Sequence, residues 1–75
     1  MNTARRLNGT TLRILRQALG ITARDLAARA GIDPSFLSRL ENGARQPSPP
    51  VLRRLAHGLG VPVEAISYPV HTATA

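Results

Sequence analysis

The chain has no cysteine and no lysine, and only four acidic residues. Each absence removes a class of protein. Without cysteine there is neither a disulfide framework nor a thiolate metal site. A membrane span needs roughly 18 consecutive apolar residues, and every apolar stretch here is far shorter, so no membrane partner is expected. Arg5 and Arg6 lie near the start, but no apolar h-region follows them, so no secretory signal is expected. The expected location is cytoplasmic, associated with the nucleoid. His57 and His71 stand apart with no cysteine near, a poor metal site, so neither metal nor cofactor is expected. No serine has a plausible histidine and aspartate arrangement, no glycine-rich phosphate loop follows a strand, and no paired-carboxylate pocket is present. Catalysis is therefore not expected.

What the sequence does carry is positive charge. Ten basic residues, all arginine, give a net charge of +6 over 75 residues. Codon bias in a GC-rich genome would explain arginine over lysine, but not the net charge. A planar fork of donors suits phosphates and guanine edges. Such a balance in so short a chain favours a polyanion partner, although an acidic membrane surface or acidic protein would also satisfy it.

The length allows one small domain. Glycine and proline punctuate it into short blocks of helical periodicity. In the first, about 11–19, Leu12, Leu15, Arg16 and Leu19 share a face, with Thr10 as cap and Gly20 as stop. The second, about 23–30, is capped by Thr22, has Asp25 at its third position, and stops at Gly31. The third, about 34–42, has Asp33 as cap and Pro34 at the first helical position, where a missing N–H costs nothing. The fourth, about 49–59, runs from Ser48 to Gly60, with Val51, Leu52, Leu55, Ala56 and Leu59 inward. A short fifth helix spans 63–67. No segment reads as a strand. The expected fold is all-α, five short helices around one core. Residues 1–9 form a flexible basic arm, 10–67 the domain, and 68–75 a loosely ordered tail.

The second and third blocks are joined by Gly31, Ile32 and Asp33, the layout of a helix-turn-helix. Ala27 sits where the two helices cross. Gly31 takes a conformation that a Cβ disfavours. Leu26, Ala30 and Ile32 fill the angle, and Leu37 and Leu40 hold the second helix to the core. The stretches Leu12–Thr22, Asp25–Ile32, Ser38–Ser48 and Leu52–Val61, in this order and spacing, resemble the XRE-type domain of the lambda and 434 repressors and their Cro proteins.

That resemblance implies a transcriptional regulator, repressor-like, whose third helix lies in the major groove of duplex DNA. Pro34, Ser35, Ser38 and Arg39 are then the groove-facing positions, and Arg39 is the one able to grip guanine with two bonds. Phosphate contacts are implied for Arg13, Arg16, Thr22, Ala23, Arg24, Asn42 and Arg45. The family usually has glutamine where this chain has Ala23, so only the backbone amide serves there, and Arg24 is the neighbour able to compensate. The resemblance also pairs Arg16 with Glu41 as a partly buried ion pair. The late residues Val61, Val63, Ile66, Tyr68 and Val70 either close the core or make a dimer contact. Expected partners are duplex DNA and a second copy of the chain, with the dimer small or formed only on DNA. The alternative is a protein-interaction module on the same fold, an antitoxin or a coactivator, with a protein partner.

Overall fold

A computed structural model describes residues 3–71. The chain opens with strand β1 (Thr3–Leu7), passes through helices α1 (Gly9–Ala18), α2 (Ala23–Ala30), α3 (Pro34–Glu41) and α4 (Pro49–Leu59) and a 3-10 turn (Val63–Ala65), and closes with strand β2 (Ser67–His71). The four helices start and stop largely where local chemistry directs. The Thr22 hydroxyl accepts the Asp25 N–H at 3.1 Å, and the Ser48 hydroxyl accepts that of Val51 at 3.4 Å. Gly31 ends α2 at φ +68°, a left-handed value that residues with a Cβ rarely adopt.

Two caps differ from the expected ones. Helix α1 begins at Gly9, and the side chain of Asn8, not Thr10, accepts the Thr11 N–H at 3.1 Å. The chain enters α1 from a strand, so the turn falls earlier than the apolar periodicity alone suggests. Asp33 stands at the N-cap of α3, but its carboxylate accepts no helix amide; it takes the Ser35 hydroxyl instead.

The expectation of five helices without strands is corrected. Residues 63–65 make one 3-10 turn, and residues 67–71 pair antiparallel with residues 3–7, register Thr3↔His71 to Leu7↔Ser67. Two bonds divert the chain there. The Ser67 hydroxyl donates to the Val63 carbonyl, and the Asn8 N–H donates to the Ile66 carbonyl at 2.8 Å. Residues 3–7 of the expected flexible arm and 68–71 of the expected loose tail are thus paired strands, with Ser67, expected in the fifth helix, opening β2; residues 1–2 and 72–75 of that expectation lie outside the described residues. Pro69 argues against a strand in the sequence, yet it is tolerated here because its missing N–H faces the outer edge of the ribbon.

The core is one cluster. Leu12, Leu26, Leu37, Leu40, Leu55 and Ile66 are fully buried, with Leu7, Ala27, Ala30, Leu52, Ala56 and Leu59 around them. Helix α2 packs on both α3 and α4, and α1 packs on α3. Leu19, expected on the inner face, is 50% exposed, because α1 has already ended and Ile21 packs against the core beyond it. Of the late residues, Ile66 closes the core while Tyr68 stays 45% exposed.

Candidate nucleic-acid interface

Helix α3 turns Leu37 and Leu40 inward, which fixes what it turns outward. Pro34, Ser35, Ser38 and Arg39 are all exposed. Their spacing of three and four residues makes them one strip along the helix. The strip holds one cation, Arg39, with hydroxyls at Ser35 and Ser38. The Ser35 hydroxyl already donates to Asp33, so that position presents an acceptor pair rather than a free donor.

The flanking residues are placed by the other elements. Arg13 is exposed on α1, Arg24 on the first turn of α2, and Asn42 and Arg45 follow α3. Thr22 and Ala23 sit at the start of α2. The Thr22 side chain covers the Asp25 amide, which leaves the Ala23 and Arg24 amides at the open helix end. That end carries the partial positive charge of aligned peptide dipoles.

Arg16 stands apart from these. Its Nε donates to Glu41 Oε2 at 2.6 Å and its Nη2 to Glu41 Oε1 at 3.2 Å, while Nη1 donates to the Ile21 carbonyl at 3.0 Å. The two side chains keep only 12% and 8% of their surface in solvent. The guanidinium thus ties α1, the α1–α2 turn and the last residue of α3 together. Little of it remains for a phosphate.

Three other arginines are spent internally. Arg29 Nη1 donates to the Gly58 carbonyl at 2.7 Å and Arg54 Nε to the Ala30 carbonyl at 3.1 Å, cross-linking α2 and α4. Arg5 holds Ser67 through its hydroxyl at 2.8 Å and its carbonyl at 3.1 Å. Arg6, Arg13, Arg24, Arg39, Arg45 and Arg53 are exposed and have no such partner among the described residues. The surplus charge is therefore on the surface, and Arg13, Arg24, Arg39 and Arg45 lie on or next to the helices that frame the α3 strip. Among the described residues no group of histidine and acidic side chains could hold a metal, and no helix is long and apolar enough to cross a membrane.

The profile of the helix-turn-helix domain matches residues 9–67. The chain belongs to the helix-turn-helix family. The HTH-type transcriptional repressor RghR of Bacillus subtilis is 38% identical over 61 residues, 80% of this chain but 45% of RghR, so the chain spans about half that relative's length. The restriction-modification controller protein C.AhdI of Aeromonas hydrophila superposes with a TM-score of 0.74 at 33% identity, over 76% of this chain and 86% of that one. The biofilm master regulator SinR, solved in complex with DNA, gives 0.69 at 30% identity, over 75% and 90%.

Several residues that hold this helix-turn-helix domain together have no counterpart in the sequence reading. Gln46 clamps β1, its Oε1 accepting the Leu7 N–H at 2.8 Å and its Nε2 donating to the Leu7 carbonyl at 3.2 Å. Gly9 lies so close to α3 that a Cβ there would sit 2.8 Å from the Glu41 carbonyl oxygen and nearer still to that of Leu40. Gly58 does the same for α4 against α2, where a Cβ would meet Leu26 Cδ1 at 3.0 Å. Each contact joins residues far apart in the chain, so no local spacing announces it.

Proposed function

We propose that the chain binds duplex DNA sequence-specifically as a small transcriptional regulator of the repressor type, at work on the nucleoid. Helix α3 enters the major groove, and Arg39 reads a guanine while Ser35, Ser38 and Pro34 line the contact. Arg13, Arg24, Asn42 and Arg45, with Thr22 and the open amides of Ala23 and Arg24, hold the phosphates on either side. Arg16 sets the angle of α3 through Glu41. A homodimer assembled on DNA would present two such helices to half-sites about 34 Å apart. The observation that carries this reading is the exposed strip on α3, braced from behind by a nearly buried ion pair and framed by arginines without internal partners among the described residues.

The test is the salt dependence of binding to duplex DNA. Neutralising roughly five phosphates gives a log–log slope of about −4 to −5. A slope near zero, or no binding at low salt, would overturn the reading.

A further inference from the structure

The ribbon of β1 and β2 has two edges, and they are not alike. The Asn8 N–H bonds the Ile66 carbonyl across the ribbon, and Leu7 turns its own N–H and carbonyl outward to Gln46. Alternation along an antiparallel ladder then fixes the rest. Ala4 and Arg6 bond inward to β2, while Thr3, Arg5 and Leu7 face the outer edge of β1. On β2 the outward residues are Ser67, Pro69 and His71. That edge is interrupted at its middle, because Pro69 has no N–H, and the Ser67 carbonyl is already taken by Arg5 Nη2 at 3.1 Å. The β1 edge is closed at Leu7 by Gln46 but open at Thr3 and Arg5, whose main-chain groups have no partner among the described residues.

From this asymmetry we infer that the open edge of β1 pairs antiparallel with the same edge of a second copy of the chain, joining two ribbons into one four-stranded sheet. This deepens the homodimer of the proposed function and rests on it. A two-stranded ribbon is marginal alone, and further strands stabilise it. The self-complementary register is set by two independent features. Centring the pair on Arg5 would require Leu7, whose groups Gln46 occupies, and would set Arg5 directly against Arg5 of the second copy, an unfavourable like-charge pair. Centring it on Ala4 uses only the open residues: Thr3 exchanges both bonds with Arg5 of the second copy, and Arg5 with its Thr3. Ala4, small and exposed, then lies on the two-fold axis. The uncharged Thr3 of the second copy then falls opposite Arg5, so no like charges meet at the seam. The interface is small and joins two basic chains, so it strengthens when salt or DNA screens their charge.

The cysteine-free chain makes the test direct. At a non-hydrogen-bonded antiparallel pair the Cα atoms are about 4.5 Å apart, within the range of about 4.4–6.8 Å that a disulfide spans. Ala4→Cys is oxidised in a glutathione buffer at about 0.5 M salt, where charge repulsion is screened, and followed by non-reducing electrophoresis. The control is Tyr68→Cys, also exposed but on the far strand. The expected result is a covalent dimer formed about tenfold faster by Ala4→Cys than by the control. Adding Thr3→Pro, which removes an outward donor that the β1–β2 ladder does not use, should bring the rate down to that of the control. Equal rates for Ala4→Cys and Tyr68→Cys overturn the inference, as does a rate that Thr3→Pro leaves unchanged. An edge that serves an acidic strand of another protein gives those same equal rates. Salt-dependent binding of the reduced variants to random duplex DNA is read in parallel. Intact DNA binding with equal crosslinking rates sinks the dimer edge alone, whereas a fast Ala4→Cys dimer without DNA binding supports the edge and sinks the DNA reading.

Discussion

The guanidinium of Arg16 and the carboxylate of Glu41 meet in a two-point fork, at 2.6 and 3.2 Å, behind the recognition strip. Both are almost withdrawn from water. Removing one partner of a fully buried pair costs about 3–5 kcal/mol, because the other charge is left without compensation, and the small remaining exposure here lowers that somewhat. One kcal/mol moves the melting temperature of a domain this size by about 4–8 °C. Glu41→Ala is therefore expected to lower Tm by at least 8 °C, or about 2 kcal/mol. Asp25→Ala, which removes an exposed carboxylate from the first turn of α2, should lower it by much less. Thermal melts of the two variants decide it. Equal melting temperatures would mean that the fork contributes nothing net.

Gly9 and Gly58 are both helical, and alanine in a helix interior is ordinarily about 1 kcal/mol better than glycine. The opposite sign is expected at Gly9. Its Cβ would press on the carbonyl oxygens of Leu40 and Glu41, and backbone cannot move aside without shifting α3. Gly9→Ala should lose about 1–3 kcal/mol and weaken DNA binding through the displaced helix. At Gly58 the neighbours are the side chains of Leu26 and Arg29, which can give by a few tenths of an ångström. Gly58→Ala should be nearer neutral. Denaturant melts that rank Gly58→Ala below Gly9→Ala would refute this account of the α1–α3 contact.

What the sequence made legible is the part governed by short-range rules. The caps Thr22 and Ser48, the left-handed stop at Gly31 and the inward leucines of α2 to α4 follow from spacing over three or four residues, and each occurs where spacing puts it. The strip on α3 follows from the same arithmetic, since fixing Leu37 and Leu40 inward leaves Ser35, Ser38 and Arg39 outward. The ribbon was not legible. Its strands lie at opposite ends of the chain, each has five residues, and Pro69 speaks against one of them. Arg5 and Arg6 read as part of a flexible basic arm because nothing local ties Arg5 to Ser67, sixty-two residues on. The Gln46 clamp was hidden for the same reason. Its amide serves as one more strand position, a role that depends on where β1 passes and not on what surrounds Gln46 in the chain.

That clamp makes a prediction with an internal control. Leu7 is nearly buried, so its N–H and carbonyl need the two bonds Gln46 supplies. Leaving a buried polar group unsatisfied costs about 1–3 kcal/mol. Gln46→Ala should cost about that much and speed hydrogen exchange at the Leu7 amide. Gln46→Glu keeps an acceptor for the N–H but sets a carboxylate against the carbonyl. It should destabilise by a similar amount while leaving the Leu7 amide protected. Leu7 exchange that is slow in both variants would show that Gln46 does not hold the strand.

Arg39 separates reading a base from holding a backbone. It is exposed, sits at the C-terminal end of the strip on α3, and has no internal partner among the described residues. Its loss should therefore leave Tm unchanged. A bidentate guanine contact is worth about 1–3 kcal/mol of discrimination, so Arg39→Ala should weaken binding to a selected target by that amount and binding to random duplex hardly at all. The salt slope should stay near its original value, because few counterions are released by a base contact. Arg45→Ala is the complementary case: a phosphate contact should cost both duplexes equally and reduce the slope by about one. Titrating both variants against a target selected from a random duplex library, and against random DNA, at several salt concentrations resolves the two roles. If Arg39→Ala weakens both duplexes equally and flattens the slope, Arg39 belongs with the phosphate contacts and the base reading passes to Ser35 and Ser38.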